Sequence, residues 1–122
     1  NKNLLLLKKI WLDIWRGIMN IKKILLDAED IRIKKNILIT IGKKIKDKMP
    51  KYQYMGIIKL KFKDFLKLKN FYKKIKINKI DFTSFIDKAI QHKIIRINTS
   101  ITSKFWYEID NGDDLKFTEK NI

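Results

Sequence analysis

Cysteine is absent from this 122-residue chain, and proline (one), glycine (four) and histidine (one) are scarce. Without cysteine there is no disulfide framework, no thiolate zinc site and no thiol nucleophile, and the chain suits a reducing compartment. With His92 as the sole histidine, neither a Ser-His-Asp arrangement nor a His-rich metal spacing can be assembled. His92 lies between a helical and an extended pattern, so it reads as a cap at a helix C-terminus. One proline and four glycines leave no interdomain hinge, and no internal repeat or low-complexity linker is present. Long apolar runs are also missing. Leu4–Leu7 is far short of the roughly 20 residues that span a bilayer, and it lacks the order of a signal peptide. The expectation is a cytoplasmic chain with no membrane span.

Arginine is the scarcest cation relative to need. It stands only at 16, 32 and 96, although Lys and Arg together number 29 against 13 Asp and Glu, a formal net charge of +16. Base readout and bidentate phosphate contacts favour Arg. The lysines are spread over the whole chain, so the charge reads as a solvated basic surface rather than a nucleic-acid footprint, while still attracting phosphates. A hydrophobic content of 45% is enough for one packed domain.

Periodicity sets the expected elements. Residues 4–20 carry apolar positions at helical spacing, which predicts a helix over at least Lys9–Arg16, with Leu4–Leu7 alternatively a short buried strand. Ile31–Ile33 and Ile37–Ile41 flank Lys34-Lys35-Asn36 and predict a β-hairpin, its second strand ended by Gly42. Tyr54–Phe62 reads as a buried strand in which Gly56 permits a close backbone approach. Lys63–Ile75 reads as an amphipathic helix with Phe65, Leu66, Leu68, Phe71, Tyr72 and Ile75 inward. Asp81 is the expected N-cap of a helix burying Phe82, Phe85, Ile86, Ala89 and Ile90. Ile94–Asn98 and Lys104–Ile109 read as strands, and Asn111-Gly112-Asp113 as a turn into a short final helix with Asp113 and Asp114 in its first turn. The mixed order predicts an α/β domain with a mixed sheet.

Several blocks then bear on function. Trp11-Leu12-Asp13-Ile14-Trp15-Arg16, Asp27-Ala28-Glu29, Ile41-Gly42-Lys43-Lys44, Tyr52-Gln53-Tyr54-Met55-Gly56-Ile57, Asp81-Phe82-Thr83-Ser84-Phe85, Trp106-Tyr107-Glu108-Ile109-Asp110 and Asp113-Asp114-Leu115 stand in this order. The set resembles the sugar-phosphate and choline-phosphate nucleotidyltransferases, in particular the bacterial branch with choline-phosphate cytidylyltransferase-like proteins and the transferase domains attached to phosphoenolpyruvate mutases. The resemblance covers nearly all of the chain. It implies a Rossmann-like fold, here a partial one, and a reaction in which a nucleoside triphosphate and a phosphorylated small molecule (phosphocholine or a sugar phosphate) give a nucleoside-diphosphate conjugate and pyrophosphate.

What the resemblance implies for single residues follows. Asp110 would be a Mg²⁺ ligand, since magnesium takes carboxylate oxygens. Glu108 would support the metal or hold a cationic acceptor head group. Lys44, with Lys43, would contact acceptor or α-phosphate oxygens. Gln53 and Tyr54 would line the acceptor pocket, with Asp81 and Thr83 in its wall. Read from the residues alone, Asp110 is rather a turn or helix-start cap near Gly112, and Lys43 and Lys44 are equally solvated charges. The pattern departs at Tyr52, where Gly is usual, at Ile45, where Pro often follows the lysine, and at Lys8-Lys9, where an acid is frequent. The family's Gly-rich nucleotide loop and first metal-binding Asp match nothing in residues 1–122. The expectation is therefore the C-terminal, acceptor-binding portion, without its nucleotide-binding half, inactive by itself and prone to self-association through the uncovered face. The alternative is a small basic α/β module that binds nucleic acid or an anionic surface.

Overall fold

The computed structural model describes residues 2–9, 29–45, 51–77, 79–103 and 112–121. Within these, strands β1 (Leu4–Lys9), β2 (Glu29–Lys34), β3 (Ile37–Lys44), β4 (Tyr52–Lys59) and β5 (Asn98–Thr102) combine with helices α1 (Phe62–Lys74), α2 (Phe82–Gln91) and α3 (Gly112–Asn121). The strands form one mixed sheet in the order β2-β3-β5-β1-β4. Only β1 and β5 pair in parallel; β1–β4, β2–β3 and β3–β5 are antiparallel. The fold is α/β with an open mixed sheet, as the element order implied.

Leu4–Leu7 is strand rather than helix, and Ile10–Arg16 lies outside the described residues. Four leucines in a row suit a central strand covered on both sides. Leu5 and Leu7 are almost fully buried, with Leu4 and Leu6 half-buried.

The hairpin forms where expected. Lys34 pairs with Ile37, and Lys35 and Asn36 both take positive φ, 51° and 63°. That is the geometry of a two-residue type I′ turn, whose twist matches the strands it joins. Gly42 does not end β3: the strand runs on to Lys44, with Gly42 at φ +88° inside it.

Among the described strands β4 lies at the edge of the sheet, and of its residues only Met55 is buried, so it is not the buried strand expected. Its pairing with β1 slips: Leu5 faces Ile58 and Leu7 faces Tyr54, so three β4 residues oppose Leu6. Gly56 sits in this bulge at φ +79° with open space around it, so its role is conformational and not the close approach expected.

α1 buries Asp64, Leu68 and Phe71, whereas Phe65, Leu66 and Tyr72 remain largely exposed. The expected inward face was too wide, because a buried carboxylate takes one of its positions. α2 buries Ile86 and Ala89, half-buries Phe85 and Ile90, and leaves Phe82 exposed. His92 caps α2, its backbone N–H donating to Lys88 and Ile90 carbonyls, and its ring lies 5.4 Å from that of Phe71. Residues 94–97 alternate in burial like a strand, yet β5 begins only at Asn98. Lys104–Ile109 lies outside the described residues, and the final helix α3 is present.

Both long helices join one core. Leu5 and Leu7 of β1, Leu38 and Ile41 of β3, Leu68 and Phe71 of α1, Ile86 and Ala89 of α2, and Ile95 and Ile97 form a continuous cluster. Phe71 and Phe85 stack at 5.9 Å between the helices. No helix among the described residues is long and apolar enough to cross a membrane.

Candidate functional site

Gly42 brings β3 and the start of α2 together. A Cβ placed on it would lie 2.9 Å from the Ser84 nitrogen and the Thr83 carbonyl carbon. Only a residue without a side chain allows this approach, and the backbone at φ +88° favours glycine independently. Lys43 and Lys44 follow directly, both exposed, and pair in register with Asp30 and Glu29 of β2.

Asp81 caps α2 as its position implied. Its carboxylate accepts from the Ser84 N–H at 3.1 Å and from the Thr83 hydroxyl at 3.0 Å. The Ser84 hydrogen bond holds the Asp81 carboxyl below the ordinary carboxylate range, with a smaller contribution from Thr83. The same Thr83 hydroxyl lies 2.6 Å from Glu29 Oε1, so two carboxylates share one donor. Glu29 therefore ties the first strand of the hairpin to the start of α2, across 54 residues of sequence.

Tyr54 completes the cluster. Its ring stacks on Phe82 with centroids 6.4 Å apart and planes 19° from parallel. Burial raises the Tyr54 phenol above its ordinary value, and the charge of Glu29 raises it further. The hydroxyl is thus a proton donor over the whole physiological range. Gln53, one position before, points to the other face by strand alternation and opposes Lys8 of β1 in register.

Of the residues singled out from sequence, Tyr54, Asp81 and Thr83 gather around the start of α2, and Lys44 pairs in register with Glu29 beside them, whereas Lys43 and Gln53 point to the other face of their strands by alternation. Glu108 and Asp110 lie outside the described residues. Among the described residues no group of three or more His, Cys, Asp or Glu side chains assembles as a metal site. No protein-family model matches the chain, and no curated protein matches it.

Sequence reasoning overlooked two polar positions. Glu29 belongs to the Asp27-Ala28-Glu29 block, yet nothing in its spacing announces a partner 54 residues away. Lys8 is 1% exposed near the end of a central strand, where a lysine is least expected. Its place in the run Leu4–Lys9, apolar until its last two residues, was the available signal.

Proposed function

We propose that this chain carries the acceptor side of a nucleotidyltransferase, with Lys44, assisted by Lys43, as its phosphate-holding residue. The supporting observation is convergence. Glu29, Gly42, Lys44, Tyr54 and Asp81-Phe82-Thr83 belong to four separate blocks of the resemblance and meet in one cluster.

In such a reaction an oxygen of the acceptor phosphate attacks the α-phosphorus of a nucleoside triphosphate. One P–O bond forms, the bond to the β-phosphate oxygen breaks, and pyrophosphate leaves. Positioning and charge stabilisation do most of the work. Lys44, on the Glu29 face, would hold the acceptor phosphate and offset its charge, with Lys43 adding to the local positive potential. Tyr54, kept protonated, would donate to it or to its ester oxygen. The carboxylate of Glu29, whose charge acts on Tyr54, favours a cationic head group, as in phosphocholine, over a neutral sugar. In this reading Asp110 would hold a magnesium ion, which would supply charge neutralisation at the α-phosphate of the nucleotidyl group.

Calorimetric titration with phosphocholine and with glucose 1-phosphate tests the proposal. Phosphocholine should bind more tightly. Lys43→Ala/Lys44→Ala should weaken it about tenfold, about 1.4 kcal/mol, while Lys34→Ala/Lys35→Ala in the hairpin turn should not. Absence of binding by both acceptors, or equal losses in the two double variants, would overturn it.

A further inference from the structure

A second concave site lies away from this cluster and shares no residue with it. It is a cleft of about 910 Å³, bordered by Lys2 ahead of β1, Lys61 and Lys67 at the start of α1, and Lys93 and Arg96 between α2 and β5. Its size is that of a small-molecule site. Among the described residues its lining holds these five cations and a single carboxylate, Asp64.

The backbone that carries three of the cations is held in place. Asn3, 2% exposed, donates to Asp64 Oδ2 at 2.7 Å and to the Arg96 carbonyl at 2.9 Å, and accepts from the Lys61 N–H at 2.7 Å. One buried amide thus fixes the start of α1 against the segment that carries Arg96. Asp64 in turn lies 3.5 Å from the Lys61 ammonium and 3.7 Å from that of Lys67. Lys93 takes φ +58°, a left-handed conformation at the end of α2 where glycine is usual. Hydrogen bonds Lys93 N–H to Ile90 O at 3.0 Å and Ile94 N–H to Ala89 O at 2.9 Å hold it there. The N-terminus of α1 has no side-chain cap, and its dipole adds positive potential.

Counting Asp64 against the five cations leaves four positive charges facing one cleft. Among the described residues no aromatic ring lines it; the remaining surface is mainly aliphatic, from residues such as Leu38, Ile90 and Ile94. Base stacking therefore has no platform among the described residues, whereas a compact chain of phosphates matches the charge. We propose that this cleft binds a polyphosphate chain, either free or as the phosphate tail of a nucleoside triphosphate, recognised through the phosphates and not the base. An extended nucleic acid finds no stacking surface among the described residues of the cleft.

Titration with tripolyphosphate, ATP and a single-stranded oligonucleotide, each at low and moderate salt, decides the matter. Tripolyphosphate and ATP should bind with similar affinity. Lys93→Ala/Arg96→Ala should weaken both about tenfold or more, and Lys34→Ala/Lys35→Ala, outside the cleft, should leave both unchanged. The proposal fails if neither binds, if the two double variants lose affinity equally, or if only the oligonucleotide responds to Lys93→Ala/Arg96→Ala. A strong preference of ATP over tripolyphosphate would also overturn it, because the base would then be the recognised group.

Discussion

Gly42 and Gly56 have similar backbones, φ +88° and +79°, in very different surroundings. Left-handed geometry costs a residue with a Cβ about 1–2 kcal/mol. At Gly56 that is the whole penalty, because nothing lies within 4 Å of the added carbon. At Gly42 the carbon meets backbone atoms of Thr83 and Ser84 at 2.9 Å, and backbone does not swing aside as a flexible side chain would. Gly56→Ala should therefore lose about 1 kcal/mol in urea denaturation, and Gly42→Ala about 3 kcal/mol or more, with acceptor binding impaired as Lys43 and Lys44 shift. Similar losses in the two variants would show that the contact between β3 and α2 is not tight. Sequence alone flagged both glycines and misassigned both. A glycine announces unusual backbone, but not whether the reason is a turn, a bulge or a neighbour from elsewhere in the chain.

At the scale of elements, Asn3 joins β1, α1 and the segment leading into β5. Its amide makes three hydrogen bonds, and a neighbouring carboxylate depends on it. The Asn3 hydrogen bond is the largest influence holding the Asp64 carboxyl below the ordinary range; Lys61 and Lys67 act in the same direction, and burial opposes them. A carboxyl depressed in the folded state contributes stability that is present above its unfolded value near pH 4 and is lost as pH falls through the lower folded value. Asn3→Ala should cost about 2–4 kcal/mol at neutral pH, since it strands a buried acceptor and a backbone donor. It should also flatten the acid dependence, so that the stability difference between pH 6 and pH 3 is smaller than in the parent chain. An unchanged acid slope would remove Asn3 as the cause. Asp81, depressed independently by Ser84, keeps some acid dependence in either protein. The elements most legible beforehand were those with local instructions, namely the hairpin at Lys35-Asn36 and α2 behind its Asp81 cap. β5 was misplaced because alternation at Ile95 and Ile97 records burial, not pairing: a segment can alternate before its ladder begins.

For the whole molecule, a formal net charge of +16 sets cations against one another. The ion pairs among described residues, such as Arg32–Asp30 at 3.0 Å, are on the surface or around Asp64. Screening should relieve the repulsion, so raising NaCl from about 20 to about 200 mM should raise the urea midpoint, as the Debye length shortens from roughly 20 to 7 Å. A midpoint that falls with NaCl would mean that attractive pairs dominate instead. Composition and periodicity by themselves determined a single α/β class with a hairpin, a capped helix and a basic surface. Those properties follow from local propensity and from charge, which are written residue by residue. Only the tertiary structure decided that Glu29 meets Thr83, that Gly42 lies against α2, that β4 lies at the edge of the described strands, and that five of the scattered cations border one cleft. Those are contacts between residues far apart in the chain, and their positions depend on strand order and register, which no local pattern encodes.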